Sequence, residues 1–189
     1  MKKQLILFVF TSSFLIACGQ INRLSKEDYA WMPYKGNETL VFKSNSGEAD
    51  TVFILKKDTL MAYPEAQSLS GTEYEVAAVF CKSSIQKFYL FKVQKAKDNR
   101  AELVFDLEMN TAELYGHTPV KIDSLSKSKP ITLQTSYDKY EDVYIIYPDN
   151  YAMDFYNRSD FVTKLYWSKS NGLIRYDKKD GVYWELMKK

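Results

Sequence analysis

The sequence has little of what most metal and nucleophilic sites are built from: one histidine (His117) and two cysteines (Cys18 and Cys81) in 189 residues. A single histidine excludes a multi-histidine metal centre. There is no paired-Cys metal spacing, no glycine-rich phosphate loop and no nucleophile elbow. Seven glycines and five prolines are too few for a low-complexity stalk. Charge of one sign is also missing. Lys plus Arg number 26 against 24 Asp plus Glu, and Lys2 and Lys3 account for the difference. Beyond those two lysines the chain is formally neutral, so it lacks the surplus cations that neutralise phosphates, and nucleic acid is not an expected partner.

What is present fits a globular domain: 46% hydrophobic residues, 26% charged, and 15% aromatic, fifteen of them Tyr. The first residues stand apart. Lys2 and Lys3 precede an apolar run from Leu5 to Ala17, which is too short to span a bilayer and reads as a secretory leader. It ends in Leu15, Ile16, Ala17 and Cys18, which resembles the lipobox of bacterial lipoprotein precursors. The resemblance implies cleavage between Ala17 and Cys18 and acylation of Cys18, palmitate being one such acyl group. Two or three acyl chains hold a protein firmly to a membrane, whereas one holds it only marginally. Gly19, with no Asp at that position, resembles lipoproteins forwarded to the outer membrane of Gram-negative cells. With Cys18 acylated, Cys81 has no partner for an intramolecular disulfide.

The expected organisation is a signal peptide over 1–17, a lipidated Cys and tether over 18–30, and a β-rich globular domain over 31–189. Twelve extended tether residues would reach about 40 Å. Ser25 with Asp28 predicts one helical turn, stopped by Pro33. Thr39–Lys43 and Thr51–Lys56 flank Ser44, Asn45, Ser46 and Gly47 and read as a hairpin. Lys87–Lys95, Glu102–Glu108 and Val143–Tyr147 have strand character. Thr72–Cys81 is open between a helix with a capping box and a strand, and the alternation of Tyr74, Val76, Ala78 and Phe80 favours the strand.

The C-terminus predicts a meander of Phe161–Lys169, Leu173–Lys178 and Val182–Met187. Asn171–Gly172 would form a two-residue turn, and Lys179–Gly181 a three-residue turn. That register sets Trp167, Tyr176 and Trp184 side by side, Ile174 opposite Leu186, and Arg175 opposite Glu185. The predicted fold class is mainly β: a single antiparallel domain, as a curled sheet, half-barrel or sandwich, ending in this three-strand meander.

No catalytic residue, metal ligand or cofactor is assigned. His117, in Gly116-His117-Thr118-Pro119, reads as an exposed turn residue, and Cys81 as a small buried hydrophobe. Asp106 with Glu108, and Glu141 with Asp142, are read as solvating strand faces, although two carboxyls suffice for glycoside hydrolysis. Asp138, Glu141 and Asp142 lack the spacing of a calcium loop. The candidate binding residues are the clustered aromatics Tyr137, Tyr140, Tyr144, Tyr147, Tyr151 and Tyr156. Such rings suit a glycan or a protein interface, although half-buried Tyr is also ordinary in β-proteins.

The expected function is a membrane-anchored cell-envelope lipoprotein, exported and acting as a non-catalytic binding or structural module. Its partner would be an envelope protein, a glycan or a lipid, besides the membrane held through Cys18. The alternative is a half-barrel carrier of lipid or lipoprotein, by likeness of fold, and the third reading is a hydrolase.

Overall fold

The computed structural model describes residues 20–62, 72–84, 88–96, 98–109, 112–148 and 157–189. Alternation of apolar and polar side chains sets its strands. In β2 (Thr39–Ser44), Leu40 and Phe42 point inward while Thr39 and Lys43 face solvent. A turn at Asn45–Gly47, with Gly47 at φ +94°, leads into β3 (Ala49–Ala62), so the expected hairpin is present. The ambiguous segment is a strand, β4 (Glu73–Ser83), whose Ala77, Val79 and Cys81 enter the core. It is followed by β5 (Phe88–Lys95), β6 (Ala101–Met109) and β7 (Ala112–Lys121). A short helix, α2 (Ile122–Lys127), buries Ile122 and Leu125 and leads to β8 (Ile131–Gln134) and β9 (Lys139–Ile146). The chain closes with β10 (Val162–Ser168), β11 (Gly172–Lys178) and β12 (Tyr183–Lys188).

These strands form one antiparallel sheet in the order β7-β6-β5-β4-β3-β2-β12-β11-β10-β9-β8. The sheet curls into a half-barrel, and α2 connects its two opposite edges. Two consecutive meanders therefore meet where β12 pairs with β2. A two-residue strand, β1 (Ile21–Asn22), adds to β4 in parallel.

The residues expected to form a free tether are instead packed on the sheet from Gln20 onward. The Glu73 amide donates to the Gln20 carbonyl (2.9 Å), and Leu24 N–H donates to Glu75 Oε2 (2.7 Å). Ser25 caps α1 (Lys26–Tyr29) through the predicted box with Asp28. Asp28 also pairs with Lys95 at 3.0 Å, both side chains nearly buried. Beyond Pro33 the chain delivers Tyr34 into the centre of the core. This polar stretch reads as a tether by composition because its partners, Glu75 and Lys95, lie far along the sequence.

Large aromatics fill the concave face. Trp167 contacts Phe105 (5.2 Å), Phe91 (5.5 Å) and Tyr34 (5.9 Å) edge-on, and Tyr176 stacks on Trp184 at 6.2 Å. Aromatic pairs of this kind contribute about 0.5–1.5 kcal/mol each beyond their area. The Trp167 indole N–H donates to the Trp31 carbonyl (3.2 Å), and the Tyr34 hydroxyl accepts from Leu173 N–H (2.8 Å).

The C-terminal meander has the predicted strands, and half of the predicted register. Tyr176 stands opposite Trp184 and Arg175 opposite Glu185, while Ile174 and Leu186 are both buried. Lys179–Gly181 forms the predicted turn, with Gly181 at φ +86°. Between β10 and β11 the register differs. Leu165, not Trp167, faces Tyr176, and a bulge sets Trp167 opposite Leu173. All three aromatics still share one core.

The predicted Asn171–Gly172 turn is replaced by a loop, Lys169–Asn171, with only Gly172 left-handed (φ +87°). Side-chain hydrogen bonds outcompete the tighter turn. The Ser168 hydroxyl donates to Asp142 Oδ1 (2.6 Å) and accepts from Asn171 N–H (3.0 Å), while Ser170 N–H donates to Asp142 Oδ2 (2.7 Å). The Gly116–Pro119 stretch, expected as a turn, is part of β7, whose pairing with β6 continues through a bulge. Pro119 is tolerated there because β7 is an edge strand.

Candidate functional site

A half-barrel invites the question of whether its concave face is open. Among the described residues it is filled. Leu24, Trp31, Met32 and Tyr34 from the docked N-terminal segment join the inner residues of the sheet in one buried cluster. The void bounded by Leu40, Phe42, Val52, Phe91 and Leu173 is too small to admit a water molecule.

A different recess lies at the start of β9. Asp138, Lys139, Tyr140, Glu141, Asp142, Ser170 and Asn171 line an open polar cleft of about 480 Å³. Two loops shape it. The turn between β8 and β9 is held by Thr135, whose hydroxyl donates to the Asp138 carbonyl (2.9 Å) and accepts from Asp138 N–H (3.0 Å). Ser136 N–H donates to the buried carboxylate of Glu185 (3.1 Å), which Arg175 also bonds (3.1 Å). The Lys169–Asn171 loop forms the other wall and is fixed by Asp142 as described. Burial pushes the Asp142 carboxyl up, but hydrogen bonds from Ser168 and Ser170 outweigh that effect and hold it below the usual carboxylate value. Lys139 pairs with Glu141 at 2.9 Å in an exposed position, where such pairs contribute at most about 1 kcal/mol. The cleft is thus lined by carboxylates, two hydroxyl-bearing residues (Tyr140 and Ser170), an amide and one ammonium.

The described tyrosines are dispersed rather than gathered on one surface. Tyr137 is 41% exposed at the β8–β9 tip beside the cleft, and Tyr147 is 60% exposed at the end of β9. Tyr140 is buried and lines the cleft. Burial raises the pKa of its hydroxyl, with the carboxylates of Asp138 and Glu185 adding to the effect. Tyr144 is half-buried against Trp31, its ring centroid 4.8 Å away, on the concave side. Tyr151 and Tyr156 lie outside the described residues, as do Ala17 and Cys18.

Cys81 is fully buried, and burial pushes its thiol up to about 12, with Glu38 adding to the shift. A thiol in that state does not supply the thiolate that nucleophilic or metal chemistry requires. No three His, Cys, Asp or Glu side chains converge as metal ligands among the described residues.

Two polar clusters are not foreshadowed by any sequence motif. Asp50, fully buried, accepts from the Ser83 hydroxyl (2.6 Å) and from both the hydroxyl (2.8 Å) and N–H (3.1 Å) of Ser84. Its inward position follows from the alternation that turns its partner Phe42 inward, a signal present in the strand pattern. On the outer face Arg175 lies over the Tyr183 ring (3.9 Å) and the Tyr166 ring (5.3 Å) and bonds Asp177 (2.6 Å). The sequence pattern predicts none of these three contacts, only the pairing of Arg175 with Glu185 across the strands.

No helix among the described residues is long and apolar enough to cross a membrane. Comparison with protein-family models, with curated proteins and with solved structures finds no match to this chain.

Proposed function

We propose that the protein is an exported lipoprotein of the cell envelope, acylated at Cys18, whose β domain is a non-catalytic binding module. The polar cleft of β9 is its ligand site. The anchor rests on the lipobox Leu15-Ile16-Ala17-Cys18, and Gly19 favours the outer membrane in a Gram-negative cell. The observation that carries the binding reading is the pairing of a filled concave face with an open polar cleft. Ligands suited to that cleft are hydroxyl-rich ones, envelope glycans above all, because its lining is hydrogen-bonding throughout and Tyr137 offers an exposed ring beside it. Burial of Cys81 speaks against a hydrolase that uses a thiol nucleophile.

The carrier reading draws on the half-barrel itself. A lipid would reach the concave face only by displacing Trp31 and Tyr34, which hold hydrogen bonds to Trp167 and Leu173. NMR titration with soluble peptidoglycan fragments tests the binding reading. Shifts confined to Asp138–Asp142 and Ser170–Asn171 support it, and no shift at those amides at millimolar fragment counts against it. For the anchor, Cys18→Ala is expected to abolish labelling by a fatty-acid probe and to release the protein from membranes. A labelled, membrane-bound mutant refutes it.

A further inference from the structure

The two edges of the half-barrel are not alike. β7 carries Pro119 and a bulge, and both hinder the addition of a further strand. β8, at the other edge, pairs with β9 alone among the described residues, and Ile131, Thr132 and Gln134 are exposed along it. No charged residue occurs between Pro130 and Tyr137, so nothing in this strand repels a neighbour.

The direction of its backbone groups follows from the turn that ends it. Thr135 N–H donates to the Asp138 carbonyl (2.9 Å), and Leu133 stands opposite Tyr140 two residues earlier, so these two residues face β9. Alternation then turns the N–H and C=O of Thr132 and Gln134 to the free edge. Pro130, which has no N–H, bounds that edge on one side, and the turn at Thr135 bounds it on the other.

The flanks decide what fits there. Lys127 and Lys129 precede the strand and Asp138 follows it, all exposed, while Lys139 is already paired with Glu141 (2.9 Å). An uncharged strand that is basic at one end and acidic at the other complements a copy of itself only when the two run antiparallel. A parallel copy would set like charges together. A two-fold axis at Leu133 meets both the charge and the backbone requirement. Thr132 of each copy then exchanges both backbone hydrogen bonds with Gln134 of the other, and Leu133 meets its own counterpart with Ile131 on the diagonal. Lys129 comes beside the Tyr137–Asp138 tip of the other copy.

We propose that β8 is a self-association edge, on which a second copy of this chain docks antiparallel about Leu133. Each copy uses its own β8 and keeps its guarded β7 free, so the product is a closed dimer rather than a filament. The proposal depends neither on acylation of Cys18 nor on the ligand of the cleft.

A contact of four residues is weak, so it is trapped covalently in cells expressing the full-length protein. Leu133→Cys sets two thiols across a non-hydrogen-bonded pair, whose Cα atoms lie about 4.5 Å apart, within disulfide range. Oxidation is expected to give a disulfide dimer on a non-reducing gel, several-fold more than from Thr132→Cys or Gln134→Cys expressed alone. Cys81 is buried and adds no background. Thr132→Cys and Gln134→Cys chains expressed together, both substituted at exposed positions, should also cross-link, which covers the case that Leu133→Cys disturbs the fold. Lys129→Glu added to Leu133→Cys should cut the yield several-fold, and Asp138→Lys added to both should restore it. Equal yields at residues 132 and 133, no dimer from either Leu133→Cys or the mixed pair, or a charge swap that restores nothing overturns the proposal. A cross-link to a chain of different mass also overturns it and assigns the edge to a foreign strand.

Discussion

Gly172 is where backbone conformation, core packing and a long-range hydrogen bond meet, so Gly172→Ala tests the packing account most sharply. Its φ of +87° is left-handed, which costs an alanine about 1–2 kcal/mol. A Cβ there would also collide with the hydroxyl and Cζ of Tyr34 and approach Cε2 to 2.9 Å. Tyr34 is fully buried between Phe91 and Trp167, so it has no space to retreat, and overpacking of this kind costs about 1–3 kcal/mol. Together the substitution should destabilise the domain by about 2–5 kcal/mol, lowering Tm by roughly 5–15 °C for a domain of this size. Tyr34→Phe alone leaves the Leu173 N–H without its acceptor, a loss of about 1–3 kcal/mol. In the double variant the ring is no longer held by Leu173 and can shift away from the new methyl. The combined loss should therefore fall short of the sum by about 0.5–3 kcal/mol. Urea unfolding followed by tryptophan fluorescence measures all three. A Gly172→Ala protein within about 0.5 kcal/mol of the parent, or strict additivity, refutes the reasoning.

Cys81 should be unreactive toward an aromatic disulfide reagent at pH 8 in the native Cys18→Ala protein and react fully in guanidinium, since burial pushes the thiol up to about 12; fast native labelling contradicts this. Asp142→Asn should lower stability at pH 7. Because the folded carboxyl titrates below its unfolded value, its contribution is present above about pH 4 and is lost as pH falls through the folded value, so the variant's acid unfolding limb should be shallower. Identical pH profiles would show that the Ser168 and Ser170 bonds do not stabilise the charge. Asp28→Asn, which weakens both the α1 cap and the Lys95 pair, should cost about 1–3 kcal/mol. It should also open the Gln20–Ala30 segment to limited proteolysis, and unchanged cleavage would show that docking does not depend on this pair.

The parts of the fold legible in sequence are those set by neighbours in sequence. Alternation placed β2, β3 and β4, Lys179–Gly181 set the last hairpin, and that hairpin put Tyr176 opposite Trp184. Distant side chains decided the rest. The register of β10 and β11 depends on Asp142 reaching Ser168 and Ser170, and Gly172 answers to Tyr34, whose hydroxyl meets Leu173 across 139 residues. The docking of Gln20–Ala30 depends on Glu75 and Lys95, which composition cannot foresee. For the candidate site, Tyr137, Tyr140 and the neighbouring acids were visible as residue types. Their arrangement as a cleft, with Tyr144 turned away toward Trp31, follows from the bulged pairing of β9 with β8.

A domain whose concave face is occupied by its own side chains, on an acylated anchor, should hold no lipid beyond the covalent one. Native mass spectrometry of the full protein, extracted from membranes in mild detergent, tests it most directly. The expected species is a chain beginning at Cys18, carrying covalent acyl groups and no further lipid once detergent is stripped. A stoichiometric, non-covalent lipid that survives stripping, or a chain without acyl mass, would contradict it.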